Sequence, residues 1–275
     1  MLYLVATPIG TLSDITFRAV EVLKECSLIL CEDTRHSRYL LDRYEIATTV
    51  KSYHTFNEAS REGVIIESLR AGDDIALISD AGTPGISDPG ERLVQRCHDE
   101  GLLVSPIPGP CAVIAAVAAS GLATAPFQFV GFMPRKSSDL KKALIDALSY
   151  RGTTVCYESP HRLATTMGTL ASLAPERLVT VCREMTKKFE EIRRDSAAGH
   201  ATYWKSKTVK GEIAIVIAGD SGDENKWEVL TPEEHVAFVE EEYSLSRKEA
   251  IKMVAKLRGV PKRDIYNDVQ PMIAT

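Results

Sequence analysis

The chain of 275 residues has six cysteines but no CxxC pair, and its six histidines are dispersed. That spacing excludes the common structural zinc sites, so no metal is expected. Nor is a disulfide framework expected, because a chain this long can build its own core and its thiols sit mostly among apolar neighbours. Glycine (17) and proline (13) are too sparse and scattered for a collagen or a flexible linker protein. No apolar run nears the roughly 18–20 residues of a membrane span. The opening MLYLVATPIG lacks the basic start of a secretory leader. Together these absences predict a cytoplasmic protein with no membrane partner. Excess positive charge is missing too: the net charge of −5 excludes a globally basic nucleic-acid coat but permits a local basic patch. What is present, 44% hydrophobic and 26% charged residues, is the make-up of a globular protein of about two domains.

Short apolar runs alternate with helical spacing through the first 120 residues. Strands are predicted at Leu2–Ala6, Leu28–Cys31, Ile75–Ser79 and Leu102–Ser105. Helical patterns follow from Asp14 to Lys24, Ser37 to Tyr44, Glu62 to Arg70, Pro89 to Glu100 and Pro110 to Ser120. Strands that are continuously apolar, interleaved with helices, predict an α/β layer with a mainly parallel sheet. Ala125–Arg135, with two prolines and a glycine, breaks the pattern and is read as a domain junction. Beyond it lie strands at Thr153–Tyr157, Leu178–Cys182 and Glu212–Ala218 and a helix at Leu163–Leu173. A polar linker is placed at Asp220–Trp227, then an acidic helix (Thr231–Tyr243) and a basic one (Arg247–Arg258). The expected organisation is therefore two α/β domains, 1–122 and 123–222, with a small helical C-terminal appendage at 228–275.

Three loops carry the candidate chemistry. Ser79–Gly90 (SDAGTPGISDPG) packs glycines and prolines between a strand and a helix, so that backbone N–H groups can approach a ligand closely. Asp80 and Asp88 sit at its rim as acceptors for a cationic or hydroxyl-bearing ligand. The loop is neither GxGxxG nor GxxxxGK[ST], which argues against a nicotinamide or nucleoside triphosphate site. ATPIGTL (6–12) and IPGP (107–110) follow other strands of the same predicted sheet, so all three are expected on one edge. Backbone and proline with few charges suit an adenosine-bearing cofactor of low net charge.

In order, ATPIGTLSDIT, CEDTRHS, SDAGTPGISDPG, IPGPCA, FVGFMPRK, YESPHR and KGEIAIVI resemble the ribosomal RNA small-subunit methyltransferase I family, one of the tetrapyrrole-methylase-like S-adenosylmethionine enzymes. The resemblance covers nearly the whole chain. It implies two α/β domains of the tetrapyrrole-methylase type with S-adenosyl-L-methionine in the cleft between them, a homodimer, and 2′-O-methylation of a cytidine in 16S rRNA at the decoding site of the small ribosomal subunit. Carried over residue by residue, it implies cofactor contacts from Pro8, from Asp80, Ala81, Gly82, Ile86 and Ser87, and from Pro108 and Gly109. Tyr157 and Ala214 of the second domain are implied to wall the adenine. One departure stands out: the first loop reads PIGT where many relatives have Asn after the glycine. Thr11 is taken as a mild change on the expectation that the backbone does most of the work.

Transfer to a ribose hydroxyl needs collinear reactants and a proton acceptor. Glu32 and Asp33 follow strand two on the same edge and are the catalytic candidates, with Glu184 of the second domain as their rival. Asp33 has an equally good reading as the cap of the next helix. Candidate RNA contacts are Arg135 and Lys136 after the junction, Lys187 and Lys188, and Lys248, Lys252 and Lys256, whose four-residue spacing places them on one helix face. A solvated helix surface is the plain alternative for that stripe. The single aromatics Tyr203, Trp204 and Trp227 are read as packing. Two other functions remain open: methylation of a corrin-like tetrapyrrole, and a non-catalytic RNA-binding factor on the same fold.

Overall fold

The computed structural model describes residues 1–219, 230–243 and 245–269. The predicted linker Asp220–Trp227 lies outside the described residues. In the first half the elements are β1 (Leu2–Val5), α1 (Phe17–Glu25), β2 (Leu28–Cys31), α2 (Thr34–Arg43), β3 (Val50–Ser52), α3 (Glu58–Arg70), β4 (Ile75–Ile78), α4 (Glu91–Asp99), β5 (Val104–Ile107) and α5 (Ala112–Ala119). The five strands form a wholly parallel sheet in the order β3-β2-β4-β1-β5. Its apolar runs are buried on both faces. Leu23 and Leu41 of the first helices, with Cys26 and Ile46 just after them, cover one face, and Ile65, Leu69, Leu93 and Cys97 of α3 and α4 cover the other. α1 starts where Thr16 accepts a hydrogen bond from the N–H of Ala19, a cap that stabilises by about 1 kcal/mol.

The register decides where the loops meet. Val5 pairs with Ile78 on one side and with Ile107 on the other, so β4, β1 and β5 end level. Their following loops therefore leave side by side from one edge. β2 pairs with β4 through Leu30 and Leu77, which brings Glu32 and Asp33 out beside Ser79 and Asp80.

The second half contains β6 (Phe127–Phe132), α6 (Ser137–Leu148), β7 (Thr153–Glu158), α7 (Leu163–Leu173), β8 (Leu178–Arg183), β9 (Glu191–Ser196), α8 (Ala197–Lys205) and β10 (Ile213–Ile217). This sheet runs β6-β7-β10-β8-β9 and is mixed: β6 and β7 are parallel and every other pair is antiparallel. The segment read as a bare junction is thus partly a strand. β6 escaped notice because it is an edge strand whose register shifts between Phe129 and Phe132, with Gly131 at φ +69°. Helices α6, α7 and α8 pack on one face around Leu144, Met167, Leu170 and Trp204. The other face takes α5, whose Val113, Ala116 and Val117 pack on Val155, Cys182, Ala214 and Val216. α5 thus joins the two sheets.

Three further helices close the described chain: α9 (Pro232–Tyr243), α10 (Arg247–Arg258) and α11 (Lys262–Asp268). They share a small core of Val236, Val239, Ile251, Val254 and Ile265. α10 opens with a capping box between Ser246 and Glu249 and stops at Gly259, which takes the left-handed conformation at φ +65°. Among the described residues no helix is long and apolar enough to cross a membrane.

Candidate functional site

The three loops are stitched together before any ligand is considered. Thr7 and Gly82 exchange two backbone hydrogen bonds, at 2.9 and 3.0 Å, in an isolated antiparallel bridge between the first and second loops. The Thr7 hydroxyl donates to the Ser79 carbonyl at 3.0 Å, and the Thr83 hydroxyl donates to the Pro110 carbonyl at 3.2 Å, binding in the third loop. Gly82 needs its glycine, since φ is +88° there. Gly109 lies so close to Ala6 that a Cβ would sit 2.9 Å from that methyl. Glu58 of α3 accepts from the N–H of Gly90 at 3.0 Å and fixes the far end of the second loop.

These loops and the facing ends of β7, β8 and β10 enclose a cavity of about 420 Å³. Asp80, Ala81, Gly82, Ile86 and Ser87 line it from one side, and Tyr157 and Ala214 from the other. Pro8, Pro108 and Gly109 are not among its lining residues. Pro8 is buried behind the bridge and it is Ile9 that reaches the cavity; the third loop spends Gly109 on its approach to Ala6 and presents Cys111 and Ala112 instead. Sequence reasoning missed those two residues, and also Phe132, Glu158, Met185 and Glu212. The signal was present in the quoted FVGFMPRK, YESPHR and KGEIAIVI strings, which hold three of these residues.

Among the described residues, four carboxylates, Asp80, Asp88, Glu158 and Glu212, line the cavity, and no lysine, arginine or histidine does. Burial, and then the neighbouring Glu32 charge, push Asp88 up to about 6. Burial pushes the Tyr157 phenol up to about 12, so it stays neutral. Glu158 is fully buried and accepts from the Ser159 N–H at 2.6 Å and the Thr166 hydroxyl at 2.5 Å; Arg162 pairs with it at 3.3 Å. Arg162 also donates to the carbonyls of Met133 (3.0 Å) and Pro134, pinning the chain that follows β6.

The candidate bases separate by environment. Asp33 caps α2: it accepts from the Arg35 N–H at 2.8 Å and holds the Arg35 guanidinium at 3.1 and 2.8 Å, which keeps its carboxyl well below the usual range. Its own N–H donates to Asp80 at 3.3 Å. Glu32 borders an adjoining depression of about 400 Å³ that shares Ser87 and Asp88 with the cavity, and burial, followed by the Asp80 charge, raises its pKa. Glu184 lies in a turn of left-handed residues (φ +52° at Glu184, +63° at Thr186). Burial opposes its charge, but the Lys187 ammonium at 3.0 Å and the Glu212 N–H at 3.1 Å hold its pKa below the ordinary value. Glu184 is therefore absorbed in shaping that turn.

The basic candidates are scattered. Arg135 and Lys136 are exposed where β6 leads into α6. Lys187 is part-exposed, its ammonium between Glu184 and Glu212 at 3.0 and 2.9 Å. Lys188 is exposed over the Phe189 ring, 5.6 Å from its centroid. Lys248, Lys252 and Lys256 share the exposed face of α10, with Lys256 bonded to Asp146 of α6 at 2.7 Å. Of the aromatics, Trp204 is buried and Tyr203 packs edge-on against it, whereas Trp227 lies outside the described residues.

A sequence profile described as Tetrapyrrole (Corrin/Porphyrin) Methylases matches residues 1–199. The chain is 46% identical over 274 residues to the ribosomal RNA small subunit methyltransferase I of Halalkalibacterium halodurans, covering 97% of this chain and 93% of that protein. It is 42% identical over 272 residues to the protein of that name from Bacillus subtilis, with the same coverage. Among solved structures, cobalt precorrin-4 methyltransferase superposes with a TM-score of 0.60 at 18% identity, covering 79% of this chain and 94% of that one. The Thermus thermophilus uroporphyrin-III C-methyltransferase complexed with S-adenosyl homocysteine superposes with 0.55 at 19% identity, covering 78% and 96%.

Proposed function

The chain belongs to the tetrapyrrole methylases and, among them, to the ribosomal RNA small subunit methyltransferase I family, and from that membership we propose its reaction. It methylates the ribose 2′-hydroxyl of a cytidine in 16S rRNA, at the decoding site of the small ribosomal subunit, using S-adenosyl-L-methionine. The observation that carries this reading is a cleft built on main-chain loops whose described lining holds four carboxylates and no cation; Arg162 and Lys187 pair with Glu158 and Glu212 from outside the lining, which leaves Asp80 and Asp88 to face a ligand. Such a lining repels polyphosphates and attracts a ligand bearing a sulfonium and an ammonium. When bound, the cofactor supplies an activated methyl group on a positively charged sulfur.

The residues divide the work. Ala81 and Gly82, held in place by the Thr7 bridge, lie against the ligand, Asp80 and Asp88 face its positive charges, and Tyr157 and Ala214 flank its base. Glu32 takes the hydroxyl proton, since Asp33 is committed to Arg35 and Glu184 to Lys187. Replacement of Glu32 by Gln lowers kcat by about a hundredfold or more and leaves cofactor affinity in place; single-turnover rates equal to the parent's would remove Glu32 from the step. The protein works as a homodimer in the cytoplasm, and the nearly fully exposed Phe17 and Phe56 supply apolar surface for the pairing.

The deciding experiment incubates the protein with labelled S-adenosylmethionine and small subunits from cells that lack it, followed by nucleoside mapping. Label in a 2′-O-methylated cytidine is the expected result. Label on a base, or transfer only to a corrin-like acceptor, overturns the reading. Failure to bind the cofactor in a direct titration leaves only a non-catalytic RNA-binding role.

A further inference from the structure

On the side away from Glu32, the cofactor cavity adjoins a series of two further depressions. Phe132 lines both it and a second hollow of about 500 Å³ between β6 and α6. Asp146 and Lys256 line both that hollow and a third, of about 810 Å³, between α6 and α10. The electrostatic sign reverses along the way: the cavity has carboxylates and no cation, whereas the third depression is lined by Lys142, Lys248, Lys252, Lys256 and Lys262 against Asp146 and Glu249. Two of these lysines are neutralised locally, Lys256 by Asp146 at 2.7 Å and Lys142 by Glu249 at 3.7 Å. Lys248, Lys252 and Lys262 are exposed and make no ion pair among the described residues. Three unpaired positive charges in one groove of a chain whose net charge is −5 mark a place for a polyanion.

Phe132 stands at the junction of cavity and hollow. It is 63% exposed, its ring meets Tyr157 edge-on at 5.4 Å, and the bulge after Phe129 with Gly131 at φ +69° turns it outward. An exposed aromatic at the head of a groove that ends in lysines is the arrangement by which single-stranded nucleic acid is held, bases on rings and phosphates on cations. Resting on the function proposed above, we propose that the substrate RNA runs as a single strand from the methyl-transfer cleft over Phe132, along the β6–α6 hollow and into the lysine groove between α6 and α10. Only the target nucleotide enters the acidic cleft; its phosphate neighbours are held outside, on the positive side.

The test uses the full chain, unmodified small subunits and a single-stranded oligoribonucleotide. Lys248→Glu, Lys252→Glu and Lys262→Glu combined should raise the KM for RNA at least tenfold and reduce the slope of log affinity against log salt by about 2, the share of three single-strand phosphate contacts. Cofactor affinity and melting temperature should stay at the parent values. Phe132→Ala should raise the RNA KM by roughly tenfold, with rescue by Phe132→Trp. A lysine variant with unaltered RNA KM and salt slope overturns the track. So does one that loses binding to intact subunits but not to the oligoribonucleotide, which would make the groove a protein contact. A Phe132→Ala that weakens only cofactor binding would reassign the ring to the adenine. If the parent protein transfers no methyl group to RNA at all, the proposed function fails first, and the two failures are told apart.

Discussion

Asp88 concentrates the electrostatics of the site in one side chain. Folding raises it from an ordinary 3.8 to about 6, through burial and then the charge of Glu32. Between pH of about 4 and 6 the folded protein therefore binds more protons than the unfolded chain, and Asp88 makes stability fall as pH rises through that window. Above it, the ionised carboxylate is half-buried in a cavity with no lining cation, and a positively charged ligand relieves that cost. Cofactor affinity should thus be level at pH 7–8 and weaken as pH drops through about 6. Replacement of Asp88 by Asn should cost about ten- to a hundredfold in affinity, the range for a hydrogen bond to a charged group, flatten the pH profile, and leave the ligand-free protein at least as stable at pH 7.5. Calorimetric titration from pH 5 to 8 checks all three; an affinity and profile equal to the parent's would remove Asp88 from the contact. Asp88 was legible in the sequence as a rim acceptor, but its perturbation depends on burial in the cleft and then on Glu32 from another strand, neither of which a local pattern carries. The same holds for the Arg35 guanidinium folded back on Asp33, which no sequence pattern displays.

At the scale of elements, the turn of residues 184–187 fastens one lobe to the other. Thr11 in the first loop donates its N–H to the Thr186 hydroxyl at 3.1 Å and its own hydroxyl to the Thr186 carbonyl. Gly10 beside it is packed so tightly that a Cβ would meet Lys187 Cγ at 2.5 Å and the Thr186 hydroxyl at 2.6 Å. The side chain of Thr11 therefore matters more than the expectation of a backbone-only loop allowed. Thr11→Val should lose about 1 kcal/mol of this contact and weaken cofactor binding about fivefold, while Thr11→Ser should not; hydrogen exchange at residues 184–187 reports the loosening directly. Equal exchange and affinity in Thr11→Val would show that the cleft is closed by other contacts. The strands of the first sheet were readable because two covered faces demand unbroken apolar runs, as in IALI of β4. β3 (VKS) and β9 (EIRRDS) were not, because edge strands are short or alternate with polar residues that look like surface loop. Convergence of the loops was legible because all three follow strands of one predicted parallel sheet. The burial of Pro8 and the close approach of Gly109 to Ala6 were not, because they depend on how the loops pack.

For the whole molecule, the governing feature is a division of charge. The carboxylate-lined cleft lies between the sheets, while Lys248, Lys252 and Lys262, which make no ion pair among the described residues, line the groove between α6 and α10. α9, α10 and α11 carry their own apolar core, yet Tyr243, Leu245 and Met253 also pack on the core beneath the second sheet, so the lysine groove is held in a fixed relation to the cleft. That relation is what a track of defined length requires.

The position of α5 has one more consequence. Although it follows β5 in the chain, its apolar side is spent on the partner sheet, through Val113, Ala116 and Val117. A peptide ending in the exposed stretch near Ala123 would carry a ready-made plug, and a peptide starting there would carry the socket. Co-expressed as two pieces severed between Ala123 and Thr124, the halves should find each other and copurify. Replacing Ala116, which has no exposed surface, with Asp should abolish that reunion.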